Sequence, residues 1–422
     1  MKSIKWFVIC VLWSSFSYGM NADFLGYLRG GTGTNFEGGK ADCFSNAGIP
    51  GNFLRLGNEC GFYSEIGMIF HHKKADEQDS VYFKTQTRLV FNSQGTRQWE
   101  AAANRDTSQV EAFVTAGGFT EVPGEIWIGK RFYRDVDVYI FDWYYYADMS
   151  GVGAGIDEVP LGPGKFAFAH LIQANDDLTT TSGRPVLQAL DLRWKSVPVF
   201  ANQNLNLWGV YAWAQASSDT TQQYIDTNGY SLAARLNGVV LDGMNNFTVL
   251  FGKGAMKDLN IYASSVVPAT DDSQNKAWTV RVVEDWHHDV SDKWAVMFAF
   301  AAEYADNGKA DNNRRTWQEV GIRPIYFVSD RFQWVFETGY SHYKDESEMD
   351  GASPVGDREL MRVTFAPQLS LSKTIWGRPV MRAFVSHSRW SDSNKSFIGA
   401  NAPAFKDKTE GTNFGYQFEA WF

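Results

Sequence analysis

The last nine residues, Phe414-Gly-Tyr-Gln-Phe-Glu-Ala-Trp-Phe422, constrain the fold more than any other stretch. Phe414, Tyr416, Phe418, Ala420 and Phe422 share one parity, and Gln417, Glu419 and Trp421 share the other. Side chains alternate faces along a strand, so this segment has an apolar aromatic face and a polar face carrying one large ring. A sandwich edge strand with Trp421 in its core would accommodate that pattern. A closed outer-membrane barrel requires it, because one face meets lipid, the other meets a wet lumen, and the last strand pairs with the first.

The other end of the chain reads as a secretory signal over residues 1–22. Lys2 and Lys5 provide the positive region, and Trp6 to Trp13 is apolar but too short to span a bilayer as a helix. Cleavage after Gly19 and cleavage after Ala22 both fit, leaving residues 23–422 as a single domain. No other segment approaches 18 uninterrupted apolar residues, and mean hydropathy is −0.31, which argues against a helical membrane protein. Loss of Lys2 and Lys5 leaves 37 basic against 48 acidic residues, a net −11, which argues against nucleic acid as a partner. Cys10 would leave with the signal. Cys43 and Cys60 then remain as an even pair in an oxidising compartment, where a disulfide is the plain reading.

Period-2 alternation recurs along the chain. Phe24 and Leu28 oppose Tyr27 and Arg29; Phe62, Ile66, Met68 and Phe70 oppose Tyr63 and Glu65. Leu190, Leu192 and Trp194 oppose Asp191, Arg193 and Lys195, and Trp294, Val296, Phe298 and Phe300 oppose small residues. Polar loops such as 306–315, 344–359 and 391–413 separate such runs, and no amphipathic helical stretch of 12 or more residues stands out. At about 22 residues per strand plus loop, a mature chain of about 400 residues gives roughly 18 strands. The expected fold is therefore all-β, a closed antiparallel transmembrane β-barrel. Sixteen Trp, 18 Tyr and 31 Phe suit its interfacial girdles.

Several blocks, in order, resemble the maltoporin or carbohydrate-specific porin family. They are Asp23-Phe-Leu-Gly-Tyr27-Leu-Arg29, Arg55-Leu-Gly-Asn-Glu-Cys60, Gly129-Lys-Arg-Phe-Tyr133, Ser150-Gly-Val-Gly-Ala-Gly155, Gly321-Ile-Arg-Pro324 and the terminal Trp421-Phe422. The resemblance implies an 18-stranded homotrimer in the outer membrane of a Gram-negative bacterium. It also implies a third long loop folded into each pore and passive diffusion of sugars, with no cofactor.

Carried over residue by residue, it implies an aromatic sugar track of Tyr27, Tyr63, Trp376 and Trp421, with Trp99 lent to a neighbouring subunit's pore. Parity agrees: Tyr27 lies with Arg29, Tyr63 with Glu65, Trp421 with Glu419, and Trp376 with Arg378 and Arg382. A pyranose offers an apolar C–H face to a flat ring and an equator of hydroxyls to ionised groups, so it can slide between several weak sites. The implied constriction is Arg29, Arg55, Glu65, Asp137, Asp142 and Tyr144, the last three in Lys130 to Tyr146, where clean alternation breaks down. An inward-folded loop would look like this; so would an ordinary outer loop. Three positions depart from the family pattern. Met244 replaces a track phenylalanine, Asp135 an arginine and Tyr139 a histidine, which puts strict malto-oligosaccharide specificity in doubt.

Other chemistries find little footing. Asp285-Trp-His-His-Asp289 and His71-His72 set adjacent histidines on opposite faces of a strand, a poor arrangement for one metal ion. No nucleophile elbow, phosphate loop or zinc-binding motif is present, so the chain does not read as an enzyme. Two functions remain: a sugar-selective channel, and a general diffusion porin with little sugar selectivity.

Overall fold

The computed structural model describes residues 21–72, 80–93, 105–173, 185–218, 223–261, 271–350 and 353–422. Eighteen antiparallel strands form one sheet that closes on itself. In chain order these are β1 (Asn21–Asn35), β2 (Gly61–His72), β3 (Tyr82–Ser93), β4 (Arg105–Gly117), β5 (Glu125–Arg131), β6 (Gly151–Leu161), β7 (Gly164–Gln173), β8 (Leu187–Phe200) and β9 (Gln203–Ala214). There follow β10 (Thr227–Val240), β11 (Gly243–Gly254), β12 (Trp278–His288), β13 (Trp294–Asp306), β14 (Arg314–Phe327), β15 (Phe332–Asp345), β16 (Arg358–Ser370), β17 (Val380–Trp390) and β18 (Glu410–Trp421). Each pairs with its neighbour in sequence, and β18 pairs with β1, Trp421 opposite Tyr27 and Glu419 opposite Arg29. Closure leaves no unpaired sheet edge, which a bilayer demands. Among the described residues no helix is long and apolar enough to cross a membrane.

The alternation seen in sequence maps onto two surfaces. In β18, Phe414, Tyr416 and Phe418 point out, while Gln417 and Glu419 are buried inside. In β13, Trp294 is exposed outside and Ala295, Met297, Ala299 and Ala301 are buried inside. Outward rings gather at both ends of the wall. Trp294, Tyr326 and Trp334 adjoin one another at the end with short turns. Tyr230, Phe251, Trp278 and Tyr304 do so toward the other end. Tyr and Trp are suited to the two lipid–water boundaries.

The apolar core of this protein lies inside the barrel. The connection 132–150, between β5 and β6, folds inward as a hairpin-like loop with a 3-10 turn, Tyr139–Phe141, at its tip. The connection 36–60, between β1 and β2, also folds inward, burying Phe44, Phe53, Leu54 and Leu56 at 2% exposure or less. Of this stretch, only Arg55 was expected at the constriction. The two loops join through Asn52 N–H to Phe141 O, 2.8 Å, and Arg55 N–H to Ile140 O, 3.2 Å. They rest on a wall of small residues, Ala299, Gly321 and Gly339, which are neighbours across β13–β15. A Cβ on Gly321 would lie 2.6 Å from Leu54 and 3.1 Å from Ile140, so this position must stay bare for the loops to dock.

Two wall arginines hold the loops by backbone carbonyls. Arg362 on β16 donates to Phe53 O, Leu54 O and Phe44 O at 2.6, 3.2 and 2.5 Å. Arg193 on β8 donates to Tyr133 O and Ala147 O at 3.1 and 3.0 Å, pinning both legs of the 132–150 loop. Cys43 and Cys60 form the expected disulfide, with Cα atoms 5.8 Å apart. It closes a loop of 17-residue separation, for which the chain-entropy estimate is about 3 kcal/mol. Cys43→Ser/Cys60→Ser is therefore expected to leave the barrel's heat resistance unchanged and to increase open-channel current noise. Quiet current in the double variant would mean that Arg362 and the packing suffice.

Candidate functional site

The inward loops leave a cavity of about 920 Å³ against β1, β2 and β18. Tyr27, Tyr63, Trp376 and Trp421 all line it, as do Arg29, Arg55, Glu65, Asp137, Asp142 and Tyr144. Ten of the twelve sugar-path residues expected from sequence thus meet in one space. Trp99 lies outside the described residues. Met244 occupies a lumen-facing register position opposite His287 on β12 and is half exposed, beyond the lining of this cavity.

The four rings form a ladder. Centroids are 6.0 Å apart from Tyr63 to Tyr27, 6.5 Å from Tyr27 to Trp421 and 6.4 Å from Trp421 to Trp376. Tyr27 and Trp421 are directly cross-strand and near-parallel, at 22°. Trp376 needs a correction. It sits in the turn between β16 and β17, not in a strand, so the parity argument with Arg378 and Arg382 does not apply to it. Contacts place it: edge-on packing against Tyr139 at 5.3 Å and His287 at 5.1 Å. In the lumen Trp376 stays 40% and Trp421 37% exposed, so their faces are open to a solute.

Opposite and beneath the rings runs a network of ion pairs. Arg29 bridges Glu59 and Asp142 at 2.6 and 2.7 Å. Arg55 meets the same pair at 2.5 and 3.5 Å, reaches Glu419 at 3.1 Å and donates to the Tyr27 hydroxyl at 2.5 Å. Tyr27 in turn donates to Glu419 at 3.0 Å. Arg378 lies 4.2 Å over the Trp421 ring and donates to Glu419 at 2.9 Å. Glu65 accepts from Tyr63 at 2.6 Å and pairs with Arg88 at 2.5 Å. Arg55 is only 2% exposed, and its donors are committed to the protein. It positions Tyr27 and the carboxylates, whereas the half-buried Arg29 and Tyr144 face the space itself.

The inward loop supplies the far wall. Asp142 stands in the left-handed region, φ 54°, at the end of the 3-10 turn, a conformation Asp tolerates better than most residues. Tyr139, where the resemblance implied a histidine, is buried; its hydroxyl donates to Glu419 and accepts from Arg378. Asp137 is half-buried, and its enclosed Oδ1 has no hydrogen-bond partner among the described residues. Burial pushes its carboxyl above the ordinary range, with Arg55 pulling the other way. Arg88, Tyr139, Arg378, Glu419 and His287 were absent from the expected path. For Arg88 and Glu419, the inward parity that marked Tyr63 and Trp421 was already a usable signal. Among the described residues no group of three or more His, Cys, Asp or Glu could hold a metal ion.

Among solved structures, OccAB1 of Acinetobacter baumannii is 9% identical, with a TM-score of 0.50 and coverage of 95% of this chain and 96% of that one. OmpT, an outer membrane protein of Vibrio cholerae, is 9% identical at TM-score 0.47, covering 96% and 98%. OmpF of Salmonella typhi, in complex with daunomycin, is 13% identical at TM-score 0.45, covering 95% and 97%. At such identities OccAB1 bears on the fold alone. The family of LamB porins matches residues 22–422. With that match running through the barrel and both inward loops, the chain belongs to the LamB porin family of outer-membrane diffusion channels.

Proposed function

We propose that this channel carries sugars of the malto-oligosaccharide kind by facilitated passive diffusion along the Tyr63–Tyr27–Trp421–Trp376 ladder. The observation that carries the reading is the ladder itself, with rings about one contact apart and ionised groups along its flank in a single water-accessible cavity. Each ring takes the apolar face of a pyranose, and Arg29, Asp142 and Tyr144 exchange hydrogen bonds with its hydroxyls. Sites of this kind are several and weak, so a bound sugar can move on. Met244, beside His287, extends the path beyond Trp376 with a polarizable but non-planar side chain. The same reading has residues 1–22 as an export signal, residues 23–422 as the barrel domain, lipid around its outer face, and a homotrimer in which Trp99 serves a neighbouring pore.

Sugar-induced blockade of single-channel current in planar bilayers tests the reading. Maltohexaose is expected to interrupt wild-type current. Trp376→Ala is expected to weaken that block about five- to tenfold, the worth of roughly 1 kcal/mol of aromatic contact, while leaving ion current nearly unchanged. Wild-type current that no sugar blocks would make the protein a general diffusion porin.

A further inference from the structure

A second cavity, of about 280 Å³, lies against β5–β10 and shares only Phe132 and Arg134 with the ladder's cavity. Its character is different. Six cationic side chains line it, Arg131, Arg134, Lys165, Arg193, Lys195 and Arg235, against the carboxylates of Asp135, Asp157 and Glu158. In a chain with an excess of acidic residues this is a local reversal of sign. With the buried Asp191 that pairs with Arg193 counted as well, the cations still exceed the carboxylates by two.

Three features point to a ligand. Lys165 and Lys195 stand directly opposite each other on β7 and β8, an arrangement that repulsion disfavours, and share the single carboxylate of Glu158 at 2.6 and 3.0 Å. Arg235 is 5% exposed; one nitrogen lies 3.4 Å from Asp135, and its Nε and Nη1 have no hydrogen-bond partner among the described residues. Arg134 is sandwiched between the Phe132 and Tyr144 rings at 3.8 and 3.9 Å, which fixes its guanidinium between the two cavities. A buried guanidinium with open donors costs free energy unless an acceptor arrives, and its planar fork matches an oxyanion.

We infer that this cavity is a binding site for a phosphate group, either on a sugar or as free inorganic phosphate. A phosphate monoester near neutral pH carries close to two negative charges, which matches the surplus. Its oxygens would meet the ammonium groups of Lys165 and Lys195 and, on a small shift of the Arg235 side chain, the enclosed, unpartnered donors of Arg235. For the sugar-borne case the inference rests on the sugar-channel reading, since Arg134 then hands a solute from one cavity to the other.

The test measures current blockade by glucose 6-phosphate, inorganic phosphate, glucose and maltohexaose on the wild type and on Lys165→Gln/Lys195→Gln. Both lysines are at least partly exposed, so the double variant should fold. Glucose 6-phosphate is expected to bind the wild type about tenfold or more tighter than glucose, the scale of one charged hydrogen bond. Most of that advantage should vanish in the double variant, with maltohexaose blockade unchanged. Competition by inorganic phosphate at equal strength would assign the site to the phosphate alone; weaker competition would show that the sugar contributes. Equal binding of glucose and glucose 6-phosphate to the wild type overturns the inference, as does an advantage that survives in the double variant. Failure of maltohexaose alone to block would instead count against the sugar reading and leave the phosphate site standing.

Discussion

Arg193→Ala is expected to free the base of the inward 132–150 loop and give a larger, noisier conductance. Arg193 is 5% exposed, holds Asp191 through two nitrogens at 2.8 and 3.1 Å, and donates to the carbonyls of both loop legs. Its removal leaves Asp191 with the Trp208 indole as its remaining side-chain donor among the described bonds. Breaking one side of a buried ion pair costs about 3–5 kcal/mol, enough to make opening of the loop base roughly a hundredfold more frequent or greater. The tip stays tied to Glu419 and Arg378 through Tyr139, so the loop should swing and not detach. Amide hydrogen exchange over residues 133–149, together with bilayer recordings, measures both effects. Arg193→Lys separates the causes: lysine can neutralise Asp191 but lacks the fork that reaches two carbonyls at once. If lysine restores quiet, wild-type conductance, the carbonyl clamp is not what holds the loop.

That clamp illustrates where the sequence is legible and where it is not. Parity put Arg193 with Asp191 and Lys195, and the same period along β16 groups Arg362 with Thr364 and Gln368; both sets face the lumen. Parity fixes a face; it says nothing of what a long side chain meets across the lumen. The loop partners of Arg193 and Arg362 lie 46 to 60 and 308 to 318 residues away and are backbone carbonyls, which carry no residue-type signal. Tyr27, Tyr63 and Trp421 came from the family resemblance, and their inward face was legible because each is on a strand with a polar neighbour two residues away. Trp376 is on a turn, where period 2 has no meaning, and only its packing on Tyr139 and His287 aims it. Apart from Arg55, the inward course of residues 36–60 was not legible, because period 2 has no meaning outside a strand and the glycines of the stretch look like those of a solvent-exposed loop. Its apolar residues, Phe44, Phe53, Leu54 and Leu56, were the contrary signal. Glycine serves there for close approach: Gly51, at φ +84°, comes so near Phe141 O that a Cβ would lie 2.3 Å from it.

Arg55→Ala is expected to change ion selectivity and sugar binding together, which separates it from Trp376→Ala. Arg55 is the shared cation of Glu59, Asp142 and Glu419. Glu59 and Asp142 keep Arg29, and Glu419 keeps Arg378 and, at 3.6 Å, Arg382, so the network should loosen without collapsing. The constriction nonetheless loses one positive charge where three carboxylates converge, and passing ions feel that field. Cation preference should therefore rise, and the reversal potential in a salt gradient should move toward that of the cation. Loss of Arg55 also withdraws the guanidinium that donates to the Tyr27 hydroxyl and, through Tyr27, steadies the stacked partner of Trp421. Arg55 acts on the sugar only through Tyr27, so maltohexaose affinity should fall by no more than the worth of one charged hydrogen bond, about 1.5–3 kcal/mol, a loss of about tenfold. Arg55→Lys keeps the charge but not the fork, and it should recover the reversal potential while regaining only part of the affinity. A ring contact does little for a small ion, so Trp376→Ala should leave the reversal potential where it was. If Arg55→Ala also leaves it unchanged, the Glu59–Asp142–Glu419 cluster does not set the field along the ion path, and its role is confined to holding the rings in place.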